Sequence, residues 1–412
     1  METTSSKTSS SSNFGRASRP VYNRRANGSD CGTSATRSGA TMGDVQNPSD
    51  ATRASFRLVA KIAYDGTNYE GFQTQASGCT IQDIIEVRLS KLFDHRIHVA
   101  ASGRTDAGVH AKGQVIHFEV PRNADVLGRR AAGHLRKALQ SDGCTCEDIA
   151  TILENTLVAD AWRVEGGTSS DSRKLSEDGR LLDNGNLPCD VQILSVSPAP
   201  CPNFHAREQC VGKRYVYTIQ EGAGNPMTAR YRWNLGRNKK LDVQRMNMAA
   251  QRMIGEIDFT SFGLIEEGDS RTPLKRMRRL AVSRIESINP IDAAGAGCIN
   301  SDAVGTDAVV TIVAECDRFL YNMMRMICGT LVEVGLGRLQ PEDIATVLER
   351  KTRAGGKEKQ GVQIRKAPAH GLCLHHCFYE PEETSERWMN SALLEPGNTE
   401  DDVQAALALL QL

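Results

Sequence analysis

Apolar residues fall into short runs with two distinct periods, and these sort the chain into strands and helices before any single residue is considered. Leu58-Val59-Ala60-Lys61-Ile62-Ala63-Tyr64 reads as a strand that gives way to the turn formers Asp65-Gly66-Thr67-Asn68. Thr80 followed by Asp83 marks a capped helix start, after which Ile81, Ile84, Ile85, Leu89, Leu92 and Phe93 keep helical spacing. Ile97 to Ala101 has the β-branched, apolar look of a strand, and Gln114 to Val120 alternates with period two. A β-α-β-β unit results. A comparable series follows: a strand over Lys213 to Gln220, a helix over Asp242 to Ile254, and strands around Leu280 to Glu286 and Val309 to Ala314. A helix over Leu320 to Val334 and another beginning by Pro341 complete it. The pattern predicts an α+β fold of two pseudo-symmetric lobes, each a mostly antiparallel sheet with helices packed on one face, around a central cleft.

The segments outside this pattern set the predicted boundaries. Residues 1–54 are rich in Ser, Thr, Gly and Arg and nearly free of apolar periodicity, which predicts a disordered leader. They also resemble an organellar transit peptide, so an organelle and the cytoplasm both stand as compartments, while an apolar secretory signal core is missing. The N-terminal lobe is expected over 55–202, with a flexible insertion at about 121–187 in which Leu127 to Leu139 reads as helical. The C-terminal lobe is expected over 203–380, and an acidic tail over 381–412. No run approaches the roughly 18 apolar residues of a membrane helix.

Charge changes the picture only when it is divided along the chain. The 412 residues carry no formal net charge, yet residues 1–54 hold 7 basic and 4 acidic side chains and residues 381–412 hold 1 and 7. That leaves 42 basic and 39 acidic residues between them, a mildly basic body. Binding to a polyanion would then rest on local patches such as Arg271 to Arg279, a run that taken alone reads more readily as a solvated strand face. Twelve cysteines are scattered without a Cys-x-x-Cys. Cys144-Thr145-Cys146 lacks a second pair, so no metal site is predicted, and the thiols are expected to be reduced and mostly buried.

The candidate chemistry sits between two predicted strands, in Gly103-Arg104-Thr105-Asp106-Ala107-Gly108-Val109-His110-Ala111. An acid in a glycine-punctuated turn at a strand end is aimed by the strands yet open to a ligand. By residue type alone Asp106 reads first as an acid that caps its turn, as most Asp-Ala-Gly turns do.

The whole nonapeptide resembles the catalytic motif of the TruA-type tRNA pseudouridine synthases, and further segments resemble that family in its order over about residues 56–380. These are Tyr64-Asp65-Gly66-Thr67-Asn68-Tyr69 with Gly71-Phe72-Gln73, then Asn203-Phe204-His205-Ala206-Arg207 with Lys213-Arg214-Tyr215-Val216-Tyr217. The later ones are Phe319-Leu320-Tyr321-Asn322-Met323-Met324-Arg325 and Ala367-Pro368-Ala369-His370-Gly371-Leu372. The sequence departs from the family at Phe72, His370 and Cys373, where tryptophan, an acid and an aromatic residue are usual. The resemblance implies an isomerase that turns uridine into pseudouridine in the anticodon stem-loop of tRNA (positions 38–40), acting as a homodimer with its RNA in the central cleft.

It further implies that Asp106 is the nucleophile, that Tyr215 stacks on the target uracil, and that Arg325 pairs with Asp106. Arg104 becomes a contact to the RNA backbone or to the displaced base. Without the resemblance, Tyr215 reads as a packed strand tyrosine and Arg325 as a solvated helix residue, and periodicity does not separate Tyr215 from Tyr217, which share a face. The reaction breaks an N-glycosidic bond and rejoins the base through carbon without redox change, which implies no cofactor. A carboxylate with an ordinary pKa of about 3.9 is already ionised at neutral pH, so such a nucleophile needs only orientation and shelter. Three rivals remain: the same chemistry on other tRNA positions or other RNAs, a catalytically silent RNA-binding protein, and a hydrolase using Asp106 on water. For the last, neither metal ligands nor a partner acid stand at suitable spacing.

Overall fold

Along the first strand, β1 (Ser55–Tyr64), buried and half-buried residues alternate without a break, so Phe56, Leu58, Ala60, Ile62 and Tyr64 line one core face. The computed structural model describes residues 55–141, 143–166, 190–264, 272–286, 308–351 and 364–379, with only the backbone of 159–166. The leader at 1–54, the loop at 287–307 and the acidic tail lie outside the described residues.

The other strands are β2 (Val99–Ala101), β3 (His110–Pro121), β4 (Val191–Pro198), β5 (Gly212–Gln220), β6 (Trp233–Asn234), β7 (Gly255–Asp258), β8 (Leu274–Glu286), β9 (Ala308–Cys316) and β10 (Leu372–Phe378). They form one ten-stranded sheet in the order β4-β1-β3-β10-β5-β9-β8-β7, with β2 beside β3 and β6 beside β5. Pairing is antiparallel except for β3 with β10 and β5 with β6. The expected α+β class and mostly antiparallel pairing are therefore present, but the strands of both halves belong to a single sheet. The reason is β10: it pairs with β3 on one side and β5 on the other, so neither half is left with an open edge at the join.

Helix α1 (Ile81–Phe93) starts where the sequence placed it, with Thr80 Oγ1 accepting from Asp83 N at 3.2 Å and donating to Asp83 Oδ2 at 2.6 Å. Helix α2 (Gly133–Gln140) overlaps the helical stretch expected over Leu127 to Leu139, and α3 (Cys146–Gly166), which the pattern did not suggest, adds a second helix to the segment expected as an insertion. Ile149, Ala150, Leu153 and Leu157 of α3 are all buried, a helical stripe packed toward β4 and β1. The rest of that insertion, 167–187, lies outside the described residues. Helices α4 (Val243–Gln251), α5 (Met323–Gly335) and α6 (Asp343–Glu349) match the predicted series, and Asp242 caps α4 through Arg245 N. In α5 every residue but Arg325 is buried, so the helix is enclosed well beyond its apolar stripe and takes Thr330 and Glu333 inside with it. Among the described residues no helix is long and apolar enough to cross a membrane, and no group of three His, Cys, Asp or Glu is arranged to hold a metal ion.

Candidate active site

Asp106 lies in the loop between β2 and β3, and this loop is held by hydrogen bonds at nearly every step. Ser102 N donates to Val115 O at 2.8 Å, Gln114 Nε2 donates to Gly103 O at 2.8 Å, and Val109 N donates to Asp106 O at 3.1 Å. Tyr64 Oη and Thr105 Oγ1 are 2.8 Å apart, while Phe72 N donates to Thr105 O at 3.0 Å. The opening segment thus lies directly against the Asp106 loop. Two glycines permit it: a Cβ at Gly66 would sit 2.0 Å from Val109 O, and one at Gly71, where φ is +97°, 2.7 Å from Thr105 O. The motifs around 64–72 and 103–111, separated in sequence, are therefore one unit in space.

Arg325 reaches this loop from α5. Its Nη1 donates to Asp106 Oδ2 at 3.1 Å, and the side chains of Arg325 and Asp106 are 14% and 21% exposed. Arg325 Nε donates to Ala367 O at 2.9 Å, Ala367 N donates back to Arg325 O at 3.0 Å, and Nη1 lies 3.5 Å from Asn322 Oδ1. The guanidinium is therefore fixed by a carbonyl and aimed at the carboxylate, not solvated. The Asp106 side chain is half-buried. Asn322, at φ +63°, occupies the left-handed region at the α5 N-terminus, a strained conformation that packing must hold.

Tyr215 and Tyr217 occupy one face of β5 but have different partners. Tyr217, fully buried, donates from its hydroxyl to Pro368 O at 2.8 Å. Tyr215 packs edge-on against Phe319 with ring centroids 4.9 Å apart, and its hydroxyl makes no hydrogen bond among the described residues. Burial above all pushes the Tyr215 hydroxyl well above its ordinary range, and Tyr64, Cys377 and Asp106 push the same way. Tyr215 is thus neutral at physiological pH and near the carboxylate. Burial likewise lowers His370, which is neutral there as well.

Arg104 is exposed at the rim, two residues from Asp106, and no ion pair holds it among the described residues. The basic run is not the uniform patch its composition suggests. On β8, Lys275 is buried and donates to Leu274 O at 3.1 Å, Arg276 is exposed, and Arg279 lies 4.0 Å from Glu315. Alternation along the strand turns part of the charge inward.

Asp106, Arg325 and Tyr215, from sequence positions far apart, therefore gather at one place, with Arg104 beside them. Sequence reasoning assigned no role to the Ala367 carbonyl, to Asn322 or to the Tyr64–Thr105 contact, because backbone carbonyls and partners distant in sequence leave no periodic signal. All nine described cysteines are free thiols, four of them buried.

With the geometry in hand, known proteins offer a comparison. The family model described as tRNA pseudouridine synthase matches residues 60–158 and 249–380. The chain is 31% identical over 326 residues to tRNA pseudouridine synthase A of Listeria monocytogenes serovar 1/2a, covering 79% of this chain and 99% of that protein. It is 30% identical over 327 residues to the protein of the same name from Syntrophotalea carbinolica, covering 79% and 97%. With that of Chlamydia trachomatis serovar A, identity is 29% over 325 residues, covering 79% and 92%.

Proposed function

The chain belongs to the tRNA pseudouridine synthase family, and on that premise we propose that it isomerises uridine to pseudouridine in the anticodon stem-loop of tRNA, with Asp106 as nucleophile. The observation that carries the reading is the Asp106–Arg325 pair: a carboxylate 3.1 Å from a guanidinium that is itself fixed to a carbonyl, on a loop pinned along its length. The isomerisation breaks the bond from the sugar carbon to N1 of uracil and forms one to C5. The C5 proton leaves and N1 gains one, so electrons balance within the nucleotide. A carboxylate attacking either the sugar carbon or the ring needs a fixed approach and shelter from competing water, and Arg325 supplies the first.

Tyr215 offers an aromatic face beside the carboxylate and, being neutral, a hydroxyl that can donate to the base but is no phenolate base. Arg104, exposed at the rim, is suited to a phosphate near the everted nucleotide. Residues 55–202 contribute Asp106, residues 203–380 contribute Tyr215 and Arg325, and the cleft between these halves receives the RNA chiefly by shape and phosphate contacts. We further read the protein as a homodimer, and residues 1–54 as either an organellar address or the plain leader of a cytoplasmic enzyme.

The test uses the full chain and an Asp106→Asn variant on unmodified tRNA transcripts, with pseudouridine mapped at single-nucleotide resolution. Pseudouridine in the anticodon arm with the unchanged protein alone is the expected result. Modification elsewhere would replace the substrate, and an active Asp106→Asn variant would remove the nucleophile.

A further inference from the structure

β5 carries one more side chain toward the Asp106 loop. Lys213, Tyr215 and Tyr217 recur at every second residue, about 7 Å apart on one face of the strand, and each meets a different part of the site. Lys213 Nζ donates to Ser102 O at 2.8 Å, Tyr215 lies beside Asp106, and Tyr217 holds Pro368 O. Lys213 is only 9% exposed, Ser102 O is its one hydrogen-bond acceptor among the described residues, and no carboxylate pairs with it there.

A buried ammonium without a carboxylate is costly, and a methionine of similar length would fill the space without that cost. The surroundings are adapted to the charge. A Cβ on Gly103 would lie 2.9 Å from Nζ, so the glycine leaves room for the ammonium. The nearby Cys210 thiol is drawn below its ordinary range, by hydrogen bonding from Cys377 first and by Lys213 as well, against the effect of burial.

We propose that Lys213 is a positioning residue for the isomerisation, its ammonium gripping Ser102 O while Gln114 grips Gly103 O, so that two consecutive carbonyls form a rigid stem for the Asp106 loop. The inference rests on Asp106 being the nucleophile. Gln114 is fully buried and itself accepts from Ser102 Oγ at 2.6 Å, which ties the two grips together. Asp106 lies three residues beyond Gly103, so a turn of about 10° at the stem moves its carboxylate by about 1 Å. A displacement of that size costs about a hundredfold in rate.

The experiment compares Lys213→Met, Lys213→Arg, Gly103→Ala and the Lys213→Met/Gly103→Ala double variant in the full chain. Single-turnover pseudouridine formation on a tRNA transcript, affinity for that transcript and thermal midpoint are measured, with Asp106→Asn alongside. Lys213→Met is expected to be about a hundredfold slower, with tRNA affinity within about twofold of the parent and a thermal midpoint within a few degrees of the parent, because the lost bond to Ser102 O and the relieved burial of the charge offset each other. Lys213→Arg recovers part of the rate. Gly103→Ala is slow for the same reason, because its Cβ displaces the ammonium, and the double variant is no slower than Lys213→Met. Should Lys213→Met fail to fold, Gly103→Ala carries the test, and a parental rate there overturns the proposal. A parental rate for Lys213→Met with Asp106→Asn inactive overturns the anchor and spares the nucleophile. Rate, affinity and thermal midpoint falling together would reduce Lys213 to a structural residue. An active Asp106→Asn would overturn the nucleophile and the anchor with it.

Discussion

Replacing Arg325 with methionine keeps the length of the side chain and removes its charge and its fork of donors. Three interactions are lost: the 3.1 Å bond to Asp106 Oδ2, the 2.9 Å bond to Ala367 O and the 3.5 Å approach to Asn322 Oδ1. Two unit charges about 4 Å apart attract by about 4 kcal/mol at an effective dielectric of about 20, which is an upper bound. With the pair 14% and 21% exposed, solvent screening reduces its share of stability to about 1 kcal/mol. The stranded Ala367 carbonyl adds about 1 kcal/mol. A stability loss of about 2 kcal/mol is therefore expected, read as a fall of several degrees in the thermal midpoint. The rate should suffer more, because Asp106 loses its one ion-pair partner among the described residues and is free to rotate. A loss of about a hundredfold in single-turnover rate, about 3 kcal/mol at the barrier, is expected. Affinity for tRNA should hold, since Arg325 is mostly enclosed and aimed inward. Arg325→Lys keeps the charge but cannot satisfy carboxylate and carbonyl with one planar fork, and should fall between the two. An Arg325→Met enzyme with full single-turnover rate, or one whose whole loss lay in tRNA affinity, would refute the reasoning.

Two further outcomes follow from packing and protonation. Gly329→Ala puts a Cβ 1.6 Å from Arg365 O, inside a helix buried on all sides, so α5 must move away from the segment that holds Arg325 through Ala367. Overpacking of this kind costs about 1–3 kcal/mol; a lower thermal midpoint with a slower reaction is expected, and an unchanged midpoint would contradict it. His117, buried where Ala206 N donates to its Nδ1 at 3.2 Å, is pushed down to about 4, by burial first and then by His205 and Arg57. Its folded value lies below the unfolded one, so the unfolded chain binds the extra proton between these values. This contribution is full above about pH 6.5 and is lost as pH falls toward 4, amounting to on the order of 1–2 kcal/mol once solvent screening is allowed for. Thermal melts between pH 7.5 and 4.5 should show the decline, and His117→Gln should flatten that part of it; equal slopes in the two proteins would argue against the assignment.

Much of the secondary structure was legible because its causes are local. The Thr80 cap, the alternation in β1 and the apolar series of α5 each lie within a few residues, and the elements appear where these signals stand. Helix α3 was legible and was missed: Ile149, Ala150, Leu153 and Leu157 form a stripe at helical spacing, overshadowed by the polar stretch after it. The pattern also suggested two sheets, because periodicity reports which face of a strand is buried and not which strand lies beside it. The place of β10 between β3 and β5 is a long-range pairing with no trace in the residues of β10 themselves.

The candidate site divides along the same line. By itself, the sequence determined that Asp106 sits in a glycine-bounded turn between strands, while likeness to a family pointed to Tyr215, Arg325 and Arg104 as its companions. Which of them touch was decided by the tertiary structure. The Arg325–Asp106 bond spans 219 residues, the Lys213–Ser102 bond 111 and the Tyr217–Pro368 bond 151. Side-chain type, spacing and period are properties of neighbours along the chain, whereas a guanidinium's partner depends on the sheet order and helix packing that bring distant segments within 3 Å. Only the folded chain could show that the arginine on α5 is enclosed and aimed, and that a lysine on β5 is buried beneath the loop it holds.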